Sequence, residues 1–120
     1  MEVYSYNYFV YFEEGDENFD FKRIEDGSRL LCKSLNLKVL DFVYYGFDAP
    51  WESDYEISSS GVFLLSTSHL AWHSYPEDGR VHFSLSTCGP KIEVSDLNKQ
   101  IELSYSKVTG IEHYPCVIKS

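Results

Sequence analysis

The feature that most constrains this chain is the alternation in SHLAWHSYPEDGRVHFSLSTCG, residues 68–89. In its second half Val81, Phe83, Leu85 and Thr87 fall on one side, and Arg80, His82, Ser84, Ser86 and Cys88 on the other. A period of two belongs to a strand, and PEDG between two such runs is a turn. The pattern predicts a β-hairpin with strands over 68–75 and 80–88. Its apolar side belongs on a core beneath helices. The opposite side is too polar for a core and too apolar for open solvent. It should meet a ligand, a second sheet or a second copy of the chain.

The rest of the chain supplies that core. Residues 3–12 are rich in Tyr, Phe and Val and predict a strand. EEGDENFD is a polar loop, and Asp20 is placed to cap a helix that follows. Phe21, Ile24, Leu31 and Leu35 recur at helical spacing, with Gly27 as a weak point inside. Residues 37–45 predict a second strand. Residues 47–59 form a long acidic and aromatic loop containing Pro50, and such loops in small domains are often functional. GVFLL reads as a strand buried on both faces. Ser95 is placed to cap a second helix carrying Leu97, Ile101 and Tyr105. Residues 107–119 predict a last strand, with Pro115 marking an edge or bulge. The order is β-α-β-β-β-α-β. It predicts one α+β domain over 1–120, an antiparallel sheet with both helices on one face.

Composition narrows the function classes. The chain has 120 residues and a net charge of −9. That charge argues against nucleic acid, which would want Lys and Arg on one face, and suits a cationic small molecule or a basic partner. No apolar run is long enough to span a bilayer, so no membrane association is expected. MEVYSYNYF has neither a basic n-region nor an apolar h-region, so no signal peptide is expected and the cytoplasm is the default location. Cys32, Cys88 and Cys116 are odd in number and widely spaced, which fits reduced thiols.

The hairpin carries more chemistry than packing requires. His69, His73 and Cys88 offer nitrogen and sulfur ligands, but there is no second Cys nearby and no carboxylate at ligand spacing, so no metal is expected. A hydrolase would need Ser, His and an orienting acid. No G-x-S-x-G elbow is present, and although Cys88 and His73 could pair as a thiol nucleophile, no oxyanion hole is recognisable.

The stretch SSGVFLLSTSHLAWHSYPEDGRVHFSLSTCG resembles the core of the small prokaryotic S-adenosylmethionine decarboxylases, a pyruvoyl-dependent family. That family shows a Ser-Gly before an apolar strand, then Glu-Ser-His, a His-Thr-Trp-Pro-Glu segment and a closing Thr-Cys-Gly. Ser60-Gly61, Ser68-His69, His73, Pro76-Glu77, Gly79 and Thr87-Cys88-Gly89 match it in register. The match covers residues 60–89, about a quarter of the chain; outside it only the order of elements agrees.

The resemblance implies roles residue by residue. Ser68 is the self-processing residue: its hydroxyl attacks the Thr67 carbonyl, the peptide becomes an ester, and elimination leaves a pyruvoyl group. Cleavage between Thr67 and Ser68 yields a β chain, 1–67, and an α chain, 68–120. Ser60 and His73 match processing residues, His73 assisting the proton abstraction that drives elimination. The pyruvoyl carbonyl forms a Schiff base with the substrate amine and serves as electron sink for decarboxylation. Cys88 matches the proton donor to the product carbon. Glu77 matches the ribose-binding residue. Tyr75 stands where the family usually has the Trp that stacks on adenine, and Phe47 is a candidate second ring. The implied partner is a second αβ protomer, giving an αββα sandwich, and the implied pathway is spermidine synthesis.

The chain also departs from the pattern. Thr67 replaces Glu, Ser84 replaces Asp and Ser86 replaces an aromatic. The acyl shift uses only the carbonyl of residue 67, so Thr leaves it possible while stiffening the cleavage point. Ser68 and His73 are five apart and would fall on opposite faces of an ideal strand, so a bend at Ser68 is expected to bring them together. Two other functions remain open on the sequence: the same machinery turned to ornithine or arginine, and a non-processing homologue that binds ligand or activates a partner subunit.

Overall fold

A computed structural model describes residues 2–13, 20–47 and 58–114. The side chain of Phe47, residues 48–57 of the expected loop 47–59, Pro115 and Cys116 lie outside the described residues. The elements are β1 (Val3–Phe12), α1 (Phe21–Ser34), β2 (Val39–Phe47), β3 (Ser58–Leu65), β4 (Ser68–Tyr75), β5 (Arg80–Cys88), α2 (Val94–Ser104) and β6 (Val108–Tyr114). The six strands form one sheet in the order β2-β3-β4-β5-β1-β6, every neighbour antiparallel. The α+β class is the expected one, with an antiparallel sheet; four strands stand between the two helices where the expected order β-α-β-β-β-α-β had three, because residues 58–65 and both hairpin strands each form a strand of their own.

Local chemistry sets the helix ends. The Asp20 carboxylate accepts from the Lys22 N–H at 3.2 Å and starts α1. Ile24, Gly27, Ser28, Leu31 and Cys32 are its buried stripe. Asn36 ends it in a left-handed conformation, φ 62°, with the Leu37 N–H returning to the Cys32 carbonyl at 2.8 Å. That bond commits Leu37 to the helix end, so β2 begins at Val39 and not at residue 37. Gly27 has a reason to be there: a Cβ would lie 2.4 Å from the Tyr105 ring, so its bare backbone is the seat on which Tyr105 packs.

Two further expectations are corrected. Ser95 does not cap α2, which starts at Val94 after Glu93 with no side-chain cap. Its approach is fixed instead by the Ile92 N–H donating to the Tyr6 hydroxyl at 2.8 Å. GVFLL is not buried on both faces: Phe63 and Leu65 are buried, whereas Val62 is 41% and Leu64 52% exposed. The helices cover only one face, so an apolar run here leaves half its side chains bare. The expected last strand is present as β6, an edge strand pairing with β1 alone, and residues 115–119 of it lie outside the described residues.

Between sheet and helices, Tyr8, Val10, Phe63, Leu70, Trp72, Phe83 and Leu85 meet Ile24, Leu31, Leu97 and Ile101 in one cluster. Phe83 stacks on Tyr8 with centroids 5.3 Å apart. Each such side chain contributes about 1.5–3 kcal/mol by leaving water. No helix among the described residues is long and apolar enough to cross a membrane.

Candidate active site

The polar residues of the hairpin lie in three places along β4. The first is the turn between β3 and β4. The Ser66 N–H donates to the Lys38 carbonyl at 3.0 Å, and the Cys88 N–H donates to the Thr67 carbonyl at 3.2 Å. The Thr87 hydroxyl donates to Thr67 Oγ1 at 3.2 Å. The peptide before Ser68 is therefore held from β5 by both its backbone and its side chain. Ser68 opens β4 opposite Thr87, and its Oγ lies 3.4 Å from His69 Nδ1. Cys88 is a free, half-buried thiol on the bare face. The sequence offered no oxyanion donor. The fold sets a backbone N–H on the Thr67 carbonyl, a donor that every residue but proline carries and that no motif can announce.

The second place is mid-sheet, on the bare face. Ser60 and His73 are direct cross-strand partners, with Ser60 Oγ 2.6 Å from His73 Nδ1. His82, opposite His73 on β5, stacks on it with centroids 6.5 Å apart and planes 8° from parallel. Its other side meets Phe9, 5.0 Å away. Burial lowers the His82 pKa first, and the neighbouring His73 and Arg80 add to this. Under this pair runs a buried network: the Trp72 N–H donates to Ser59 Oγ at 3.1 Å, and the Ser59 N–H donates to Ser74 Oγ at 2.7 Å. Gly61 completes it, because a Cβ there would lie 2.2 Å from the Trp72 ring. These bonds lock the β3–β4 register that presents Ser60 to His73. Ser59, Trp72, Ser74 and His82 carried no role in the sequence reading; the one signal was the run of serines before GVFLL.

The third place is the far tip. Pro76–Asp78 makes a single 3-10 turn, Glu77 is exposed on it, and Gly79 closes it. Tyr75 is half-exposed beside Phe9, and the Arg80 guanidinium lies 4.3 Å from the Phe9 ring centroid and 5.6 Å from that of Tyr75.

The expected bend exists, since Ser66 and Thr67 separate two strands, but it does not bring His73 to Ser68. β4 is unbroken and paired with β5 from Ser68 to Tyr75. Five residues at 3.3 Å each put the two roughly 17 Å apart along the strand. Within one chain Ser68 pairs with Thr87, with Cys88 the next residue along β5 and on the other face by alternation; Ser60 pairs with His73, and Tyr75 and Glu77 flank Pro76; the three places stay apart along β4. Among the described residues no group of three or more His, Cys, Asp or Glu is placed to hold a metal ion.

Comparison with known proteins gives this arrangement a family. A crystal structure of the adenosylmethionine decarboxylase of Aquifex aeolicus superposes with a TM-score of 0.69 at 21% identity, over 93% of this chain and 85% of that one, so the two share a fold. The S-adenosylmethionine decarboxylase proenzyme of Syntrophomonas wolfei is 30% identical over 77 residues, 64% of this chain and 56% of the relative. That of Thermoplasma volcanium is 37% identical over 73 residues, 56% of each chain. That of Shouchella clausii is 50% identical over 34 residues, 28% of this chain and 26% of the relative. The matched stretch thus spans little more than half of these relatives at most. Residues 13–108 match the family described as S-adenosylmethionine decarboxylase, and with four-fifths of its length inside that match the chain belongs to this family.

Proposed function

We propose that the chain is a proenzyme that cleaves itself between Thr67 and Ser68 and then decarboxylates S-adenosylmethionine for spermidine synthesis. The observation that carries this reading is the Cys88 N–H on the Thr67 carbonyl at 3.2 Å, directly before Ser68. When Ser68 Oγ adds to that carbonyl, negative charge develops on the oxygen the N–H already faces, and a preorganised donor stabilises it without reorganisation. The Ser68 nitrogen leaves and an ester remains. Loss of the Ser68 α-proton, assisted by His73, expels Thr67 as a carboxylate; water then replaces ammonia to leave the pyruvoyl group. The parts of the chain around Ser68 fit that group: a carbonyl held by a donor, a hydroxyl beside it, and a half-buried thiol on the adjacent residue of β5. The pyruvoyl carbonyl supplies the electron sink for decarboxylation. Cys88 returns a proton to the product carbon, Glu77 accepts from the ribose hydroxyls and Tyr75 offers a ring to adenine.

The reading includes a homodimer of αβ protomers. Ser68 and Glu77 lie at opposite ends of β4, too far apart for one substrate. A two-fold copy laid bare face to bare face, with its axis between the sheets and perpendicular to β4, reverses β4, so the Ser68 end of one chain lies over the Tyr75–Glu77 end of the other, with His73 between. The bare face suits a second sheet: Val43 and Tyr45 are 68% and 65% exposed there, beside Val62 and Leu64.

Intact mass of the purified protein tests the core of this. It should show pieces 1–67 and 68–120, the second blocked to N-terminal sequencing, and Ser68→Ala should remain one chain. A wild-type preparation that stays whole on long incubation refutes the proposal. Light scattering should give a dimer at micromolar concentration; a monomer contradicts the shared arrangement.

A further inference from the structure

We propose that His69 is the base that starts self-cleavage, its Nδ1 taking the proton of the Ser68 hydroxyl as Oγ attacks Thr67. This rests on the self-cleavage reading above and adds a residue to it. A hydroxyl attacks a peptide carbonyl poorly unless a base within hydrogen-bond reach removes its proton. Ser68 Oγ has one imidazole nitrogen beside it, His69 Nδ1 at 3.4 Å. That is the long end of a hydrogen bond, the usual state of a catalytic contact before reaction tightens it. The other hairpin base, His73, stands roughly 17 Å away along β4 of the same chain at strand rise, and in either copy of the proposed dimer Ser60 of its own chain already occupies its Nδ1. Among the described residues His69 has no such competitor: it pairs across the sheet with Leu64 and Ser86, neither of them charged, and its ring is exposed.

The step balances within three residues. The proton moves from Ser68 Oγ to His69 Nδ1 as the bond from Oγ to the Thr67 carbon forms. The oxyanion faces the Cys88 N–H. The bond from that carbon to the Ser68 nitrogen breaks, and the nitrogen takes the proton back from His69. Nothing is oxidised and no other reactant enters. The two histidines therefore divide the chemistry, His69 serving the shift to the ester and His73 the elimination after it.

Hydroxylamine separates the two steps, because it cuts an ester and spares a peptide. His69→Ala and His69→Asn, each checked for unchanged far-UV circular dichroism, should self-cleave on the order of 10²–10⁴-fold more slowly. Their uncut chains should withstand hydroxylamine, and added imidazole should restore cleavage in proportion to its concentration, since the position is exposed. His73→Ala should instead accumulate a chain that hydroxylamine splits at residue 67. Cleavage of both His69 variants at the wild-type rate overturns the assignment. So does a stalled His69 chain that hydroxylamine cuts, because its ester has already formed. A slow variant that imidazole leaves slow assigns His69 a structural part and overturns it as well. If the wild-type chain itself never cleaves, the self-cleavage reading falls and takes this one with it; if only the His69 prediction fails, that reading stands.

Discussion

The turn before Ser68 and the Ser60–His73 pair sit on one sheet and are built in opposite ways. At the turn the group proposed to react is part of the backbone, and the fold holds it: Thr67 is pinned by the Cys88 N–H and by the Thr87 hydroxyl, the latter 3% exposed. At mid-sheet the groups are side chains on the bare face. They are aligned by a buried layer of Ser59, Trp72 and Ser74 beneath them, and among the described residues no helix or second sheet covers them. The difference teaches that the turn is held by bonds within one chain, whereas the Ser60–His73 pair, in the proposed reading, acts on a group that its own chain does not bring to it. The nearest thing for it to act on, in the proposed arrangement, is the turn of another copy.

The largest expected effect at the far tip sharpens this division. Glu77→Gln removes a charged acceptor from the ribose, which should cost on the order of 1.5–3 kcal/mol, roughly ten- to hundredfold in kcat/KM for S-adenosylmethionine. Self-cleavage, which involves no ribose, should proceed at the wild-type rate. Steady-state assays beside mass spectra check both halves. If ornithine or arginine proves the better substrate, the tip serves a different molecule from the one proposed.

A smaller effect probes the buried layer. Gly61→Ala drives a methyl into the Trp72 ring and should destabilise the fold by about 1–3 kcal/mol, read by urea denaturation. The displaced Trp72 should loosen the alignment of Ser60 and His73 and slow elimination more than the first acyl shift. An unchanged midpoint would mean that the ring has other room.

The smallest effect concerns His82. Its pKa is lowered, by burial first and then by His73 and Arg80. The unfolded chain therefore binds that proton more readily than the folded one, and stability rises with pH through this region. The melting temperature should fall as pH drops below the ordinary histidine value of about 6.5, and His82→Ala should flatten that fall. A profile identical in both proteins would remove the electrostatic link between the two stacked rings.

The strands and helices were legible because their signals are local. Alternation in 80–88, the Asp20 cap and the spacing of Leu97 and Ile101 each depend on neighbours within a turn or two. The start of α2 was not, because Tyr6, more than eighty residues away, fixes its approach. GVFLL was misread because a continuous apolar run cannot tell a strand covered on both faces from one whose second face awaits a partner. For the site, the residue types and their spacing were legible, and their grouping was not. The sequence offered Ser68 and His73 as a pair, but an unbroken strand separates them, and the donor to Thr67 is a main-chain N–H hidden from any motif.

The central claim is that Ser68 of one chain is processed with His73 of another. Co-expression of Ser68→Ala and His73→Ala chains, distinguished by mass, tests it most directly. Alone, neither variant should yield the two pieces. Together, in a mixed dimer, the His73→Ala chain keeps its own Ser68 and gains His73 from its partner. Its mass should resolve into 1–67 and 68–120, while the Ser68→Ala chain stays whole. If the mixed preparation contains no cleaved chain while wild type co-expressed in the same way cleaves fully, the two residues do not work across chains and the account is wrong at its centre.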